Sequence, residues 1–336
     1  MKPIIAIPAL IILVHRAWSR KSLTPLGLIT AALTGSAHAL HPWSTPFALL
    51  AVFYFGGTKA TRVKHEVKAR LTLSATGSEG SDVQRTHIQV LANSIVATVL
   101  ILVHTYVLGQ GQCFGNGKNA KDLLVVGIVA NYAAVAADTF SSELGILSKS
   151  KPRLITSPSL RVVPPGTNGG VTVAGLLAGV FGAFTVSVTS AGLLPFCAGS
   201  SWADRVCWTL AFTAWGALGS VVDSVLGALL QASVVDKRTG KVVEGEGGKK
   251  VLVHPHPRVG GATGYSAASA SAGAQQREGE KRGVETVHES RRVESGWDLL
   301  DNNAVNVLMA FLMSVGAMGV ASWVWDVSVL DIGIWG

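Results

Sequence analysis

Charge is scarce in this chain: Asp, Glu, Lys and Arg make up 14% of its 336 residues, where a soluble domain carries about a quarter. Aromatic residues are few as well, at 7%. Such a composition excludes a disordered chain, a coiled coil and a large water-soluble enzyme. The three cysteines, Cys113, Cys197 and Cys207, contain no Cys-x-x-Cys pair, so neither a zinc ribbon nor a redox motif is expected. No Gly-Lys-Ser/Thr follows the glycine clusters, which removes a Walker A loop. Basic and aromatic residues are not interleaved, so no nucleic acid is expected as a partner.

What is abundant is apolar sequence. Hydrophobic residues reach 49%, and mean hydropathy is +0.41. Long apolar runs, rather than short alternating ones, indicate helices in a membrane and not a barrel. They fall at roughly 4–18, 23–40, 44–57, 89–109, 123–141, 171–197, 205–232 and 303–325. The expected fold is therefore all-α, a polytopic bundle of about eight transmembrane helices. Lys2 and the apolar run from Ile4 to Val14 resemble a signal peptide. His15, Arg16 and Trp18 follow in place of a small-residue cleavage site, so this run is expected to be a retained span.

The net charge of +8 is unevenly placed. Arg16, Arg20 and Lys21, the group from Lys59 to Arg85, the group from Lys149 to Arg161, and Lys237 to Lys250 all follow odd-numbered spans. With eight spans they share one side, which the positive-inside rule makes cytosolic. Residues 236–298 are rich in Gly, Ser, Lys and Glu and are expected to form a disordered cytosolic loop. It separates a first membrane portion, 1–235, from the last helix and tail, 299–336.

Ionisable groups within spans point to function. Asn131, Asp138, Ser142 and Gly145 share one helical face, and Ser220, Asp223, Gly227 and Gln231 share another. Asp301 and Asn302 open the last span, with Asn306 one turn further on. All three acids lie toward the cytosolic ends of their spans, and oxygen donors of this kind suit Mg²⁺. After Asp138 come Lys151 and Arg153, then Pro165-Gly-Thr-Asn-Gly-Gly170 just ahead of a helix. Backbone N–H groups and cations there suit phosphate, although the stretch also reads as a plain turn. Arg85, Gln89 and Asn93 make a further polar stripe, with Asn93 expected to pack against another helix. His104 reads as a satisfied interior histidine, no second histidine lying at ligand spacing. A transporter, a cytidylyltransferase acting on a lipid phosphate and a phosphoryl-transfer enzyme all remain open on these grounds.

Asp138-Thr-Phe-Ser-Ser-Glu-Leu-Gly145, Lys151-Pro-Arg-Leu-Ile-Thr156, Pro165-Gly-Thr-Asn-Gly-Gly-Val-Thr172 and Asp223-Ser-Val-Leu-Gly-Ala228 resemble the transmembrane protein 19 family, which includes the phytyl-phosphate kinases. Gly57-Thr-Lys-Ala-Thr-Arg62 and the run from Arg85 to Asn93 are similar to that family too. A more distant likeness is to dolichol kinases and CDP-lipid synthases. The resemblance implies an integral membrane kinase, with CTP the expected donor and an isoprenyl monophosphate the acceptor. On that reading Asp138, Asp223 and Lys151 are catalytic, and Asp138, Asp223, Asp301 and Asn302 hold Mg²⁺. Arg153, Pro165, Gly166, Thr167, Asn168, Gly169 and Gly170, with Ser142 and Glu143, bind the nucleotide phosphates. Lys59, Arg62 and Arg85 bind the acceptor phosphate, and its prenyl tail lies along Gly175, Gly179 and Gly182. The expected location is the endoplasmic reticulum membrane, with the site facing the cytosol.

Overall fold

The computed structural model describes residues 1–78, 84–109, 111–115, 117, 119–251 and 291–333. Among the described residues eight long helices fall where the apolar runs predict: α1 (Pro3–Ser19), α2 (Pro25–Leu40), α3 (Thr45–Arg62), α5 (His87–Val107), α6 (Asp122–Gly145), α7 (Val173–Leu193), α8 (Trp202–Leu230) and α9 (Asn302–Trp325). A single short turn, α4 (His65–Ala69), follows α3. Among the described residues five helices, α5 to α9, are long and apolar enough to cross a membrane. The first three, of 17, 16 and 18 residues, rise only about 25 Å at 1.5 Å per residue, short of a hydrocarbon core about 30 Å thick.

Helix α6 is the axis of the bundle. Its residues from Leu123 to Ala137 are buried almost without interruption, and α7, α8 and α9 pack around it. Small side chains make this possible. A Cβ on Gly182 would lie 2.7 Å from the Ala136 carbonyl oxygen, and one on Gly216 would lie 2.7 Å from that of Ala133. Helices in lipid gain from such close approach because van der Waals packing, not water exclusion, holds them together. The same contacts correct one expectation. Gly175 lies against Gly145, Gly179 against Ala137 and Gly182 against Ala136, so these glycines close helix interfaces and leave no channel for a prenyl tail. The outer faces, with Leu177, Phe181, Leu210 and Phe311 exposed, are apolar and suited to lipid.

The sequence led us to expect an all-α chain, and the structure adds short strands to the helices. Strands β1 (Leu73–Ser74), β4 (Ser233–Asp236), β5 (Val242–Glu244) and β6 (Arg291–Ser295) form a sheet in the order β1-β5-β4-β6. Strands β2 (Arg153–Leu154) and β3 (Gly170–Val171) pair separately, antiparallel. The segment expected to be a disordered loop over 236–298 is thus ordered at both ends, β6 pairing with β4 and β5 with both β4 and β1. Val242 and Val243 are buried there, paired with the buried Val235 and Val234 of β4. Averaged composition hid these valines among polar neighbours, and β1, the other partner of β5, lies far away in sequence. The middle of that segment, 252–290, lies outside the described residues.

At the opposite end of the bundle, Cys113 and Cys197 form a disulfide, joining the α5–α6 and α7–α8 connections. His104 is buried as expected but only half satisfied. Its Nδ1 lies 2.8 Å from His41 Nε2 at another helix end, a pairing no local spacing reveals, while its Nε2 has no partner among the described residues.

Candidate functional site

Where the basic ends of the helices meet the sheet, the fold encloses a cavity of about 1010 Å³. Helix direction explains its polarity. α3, α6 and α8 end here, while α5, α7 and α9 begin here, capped by Thr86, Thr172 and Asp301. The half-charges of three N-termini therefore face one space.

At its floor Asp138 of α6 and Asp223 of α8 stand side chain to side chain. Asn306 of α9 turns its amide nitrogen to Asp223 Oδ1 at 3.3 Å and to the Asn302 carbonyl at 3.1 Å. Like charges in contact repel, and a cation shared between them removes that cost. No group of three His, Cys, Asp or Glu converges as a metal cage among the described residues. Two carboxylates and neighbouring amides nevertheless fit Mg²⁺, which commonly takes one or two carboxylates and completes its shell with water and phosphate oxygens. Asp301 also lines the cavity, with its carboxylate accepting from the Ala304 N–H at 2.8 Å as the α9 cap.

A second cluster lies beside the first turn of α5. Arg85, half-buried, donates through Nη2 to Thr61 Oγ1 at 3.3 Å. Thr61 in turn donates to Glu143 Oε1 at 2.7 Å. Lys68 Nζ reaches Glu143 Oε2 at 2.8 Å and the Ala60 and Thr61 carbonyls at 2.8 and 2.9 Å. All three ammonium protons are thereby engaged, so Lys68 holds the end of α3 rather than a ligand. Glu143 lines the cavity, but its partners are Lys68 and Thr61 and not an incoming phosphate.

The glycine loop forms a third wall. Gly166 and Gly169 have φ of +85° and +74°, and a Cβ on Gly169 would lie 2.3 Å from Ala228 Cβ. Its backbone donors are largely occupied: Thr167 N bonds Pro164 O, Asn168 N bonds Ser233 Oγ and Gly170 N bonds Thr167 O. Among the described residues Gly166 and Gly169 keep the N–H groups left over, fewer than a loop built around a polyphosphate presents.

Of the residues expected from sequence, the cavity also gathers Ser142, Lys151, Pro165 and Asn302. Three lie elsewhere. Lys59 and Arg62 share the exposed side of the last turn of α3, three residues apart, with Arg62 Nη2 donating to Arg20 O at 2.6 Å. Arg153 is exposed in β2 and donates to Leu160 O at 3.0 Å. Asn93, expected only as a packing residue, lines the cavity. Sequence reasoning missed the structural part of Lys68, and it missed Glu244 and Lys249, which enter from β5 and the turn after it. The string Gly245-Glu-Gly-Gly-Lys-Lys250 was the available signal. Burial holds the Glu244 carboxyl above the ordinary Glu range, opposed by a hydrogen bond from Thr72.

A helical bundle with acids on its inner helices and a polar cavity at one end defines an integral membrane protein. Residues 8–314 match the family described as "Integral membrane protein DUF92", and the chain belongs to that family. It is 33% identical over 316 residues to Protein PGR of Arabidopsis thaliana, covering 91% of this chain and 93% of that one. It is 44% identical over 107 residues to the Uncharacterized membrane protein MJ0933 of Methanocaldococcus jannaschii, covering 32% and 40%. Over 163 residues it is 29% identical to Protein VTE6, chloroplastic, of Arabidopsis thaliana, covering 48% and 45%. No solved structure matches.

Proposed function

We propose that the protein is a membrane phosphotransferase that moves the γ-phosphoryl group of a nucleoside triphosphate, with CTP the expected donor, onto an isoprenyl monophosphate. The observation that carries this reading is the placement of the Asp138–Asp223 pair and the Arg85 cluster on one cavity. One is suited to a cation and the other to an anion. The motif resemblance to a family containing phytyl-phosphate kinases supplies the acceptor class, and the similarity to the two plant proteins is compatible with it.

An acceptor phosphate has its second pKa near 6, so its oxygen attacks the γ-phosphorus without a general base. The bond between that phosphorus and the β-bridging oxygen breaks, releasing the nucleoside diphosphate and a prenyl diphosphate. The protein's work is to align two anions that repel. Arg85 holds the acceptor phosphate, kept in place by Thr61 and, through it, Glu143. Lys151 and the Gly166–Gly170 loop receive the donor phosphates. Asp138, Asp223 and Asn306 would hold Mg²⁺, with Asp301 and Asn302 at the rim. When bound, the ion neutralises charge on the phosphates. The reading places the cavity on the cytosolic face.

The test uses purified protein in lipid with Mg²⁺, phytyl monophosphate, and CTP or ATP in parallel. Prenyl diphosphate plus nucleoside diphosphate, both lost in Asp138→Ala, is the expected result. Pyrophosphate plus a CDP-lipid would reassign the protein as a cytidylyltransferase, and no turnover by folded protein would turn attention to transport.

A further inference from the structure

A second glycine-rich segment lines the same cavity as the Gly166–Gly170 loop. Gly245-Glu-Gly-Gly-Lys-Lys250 leaves β5, makes a tight turn with Gly247 and Gly248 at φ of +62° and +79°, and returns toward α9. It is anchored at three points. Asn303 Nδ2 donates to the Gly247 carbonyl at 2.9 Å. Lys250 Nζ pairs with Asp298 at 3.1 Å and donates to the Asp298 and Leu299 carbonyls at 2.9 and 3.1 Å. Gly247 itself fits against Thr86, where a Cβ would come within 3.1 Å of Thr86 Cγ2.

These anchors fix what the loop can do. Thr86 adjoins Arg85, and Asn303 lies one turn of α9 before Asn306, the residue that reaches Asp223. Three helical residues rise about 4.5 Å. The loop therefore touches the residue that follows Arg85 and the helix that carries Asn306, and it lines the same cavity as the cationic cluster and the carboxylate pair. Lys249 is exposed, lines the cavity and has no ion pair among the described residues. Lys250, beside it, is fixed by Asp298. Asn303 is buried, and its Oδ1 has no hydrogen-bond partner, an orphaned acceptor beside Gly248, where a Cβ would lie 3.3 Å from it. Burying such an atom costs free energy, and it is accepted here in a residue whose other end holds the loop in place. Glu246 is exposed at the start of the turn. Its charge favours a phosphate that arrives with its own divalent cation over a bare anion.

We infer that Gly245–Lys250 is a phosphate-binding loop of this cavity, with Lys249 the group that touches phosphate and Asn303 a positioning residue that sets the loop's height above Asp223. This deepens the phosphotransferase reading and rests on it. The phosphate belongs to the donor or to the acceptor, and separate titrations distinguish the two.

The full-length protein in lipid nanodiscs is assayed with Mg²⁺, CTP and phytyl monophosphate, each substrate varied in turn. Lys249→Gln should raise the KM of one substrate about tenfold, the loss of one hydrogen bond to a charged group, with kcat within about threefold. Lys249→Arg should restore most of it. Asn303→Ala should raise the same KM and leave the other unchanged, a split that general unfolding would not produce. An active, folded Lys249→Gln with both KM values unchanged overturns the loop and leaves the phosphotransferase reading intact. Wild-type protein that turns over neither CTP nor ATP removes that reading. The loop is then judged by calorimetric binding of inorganic pyrophosphate with Mg²⁺, which supports it if weakened in Lys249→Gln and overturns it if not.

Discussion

Asp138 on α6 and Asp223 on α8 meet side chain to side chain, with the Asn306 amide of α9 closing on Asp223 Oδ1 at 3.3 Å. Three helices thus place two acids and an amide at one point. Asp138→Asn keeps the volume and a hydrogen-bonding group while removing the charge. It should lower phosphoryl transfer by about 100-fold or more, with no loss of thermal stability in metal-free buffer, because the like-charge contact is relieved. Product formation followed by mass spectrometry, beside a melting curve, checks both halves. Retained activity in a folded variant would remove Asp138 from the chemistry.

Lys68 and Glu143 make a largely buried ion pair at 2.8 Å, with side-chain exposures of 5% and 26%. Lys68→Met leaves Glu143 without its charged partner and should cost about 3 kcal/mol. The double variant Lys68→Met/Glu143→Leu should recover part of that loss. Chemical or thermal unfolding in one detergent gives the comparison, and equal losses in the single and double variants would show that the pair is not coupled.

Helix contact predicts opposite outcomes at two glycines. In Gly182→Ala the new methyl meets the Ala136 carbonyl oxygen at 2.7 Å, so α6 and α7 must separate, at about 1–3 kcal/mol. In Gly319→Ala it meets nothing within 4 Å, and helix propensity favours the variant by up to about 1 kcal/mol. Melting temperatures should move in opposite directions.

Glu244 supplies a pH dependence. Its carboxyl is held above the ordinary range by burial, so the folded protein keeps a proton that the unfolded chain releases. Stability from this group is therefore fullest below the unfolded Glu pKa and declines as pH rises through the raised folded value. Glu244→Gln, whose amide oxygen still accepts from Thr72, lacks that decline. Its melting temperature should match wild type near about pH 4 and exceed it near about pH 7.5. A constant difference across that range would contradict the assignment.

The Cys113–Cys197 disulfide lies at the far end from the basic clusters, and disulfides persist in oxidising compartments. In sealed vesicles reduced beforehand, a membrane-impermeant maleimide should label these cysteines only from the side opposite the basic loops. Breaking the bond should cost about 2–4 kcal/mol. Labelling from the cytosolic side would reverse the orientation derived from charge.

The sequence by itself determined what depends on neighbours in the chain. Apolar run length set the eight long helices to within a few residues, charge bias set which ends belong together, and helical period put Asp138 with Ser142 and Gln89 with Asn93. Arg85, expected on the same stripe, instead precedes the Thr86 cap of α5 and reaches the cavity from outside the helix. A family resemblance added the class of chemistry. Tertiary structure alone decided everything that depends on distant partners. Lys68 and Glu143, His41 and His104, and Cys113 and Cys197 join separate helices or loops, and no local period connects them. β5 pairs with β1 and β4, which lie apart from it in sequence, so the glycine-lysine string Gly245–Lys250 is legible in sequence but its place on the cavity is not. The same holds for exclusion. Lys59, Arg62 and Arg153 carry the right charge for a phosphate site, but a side chain's charge does not fix its direction. The packing of α3 and of the β2–β3 pair turned these three outward and left Arg85 inside.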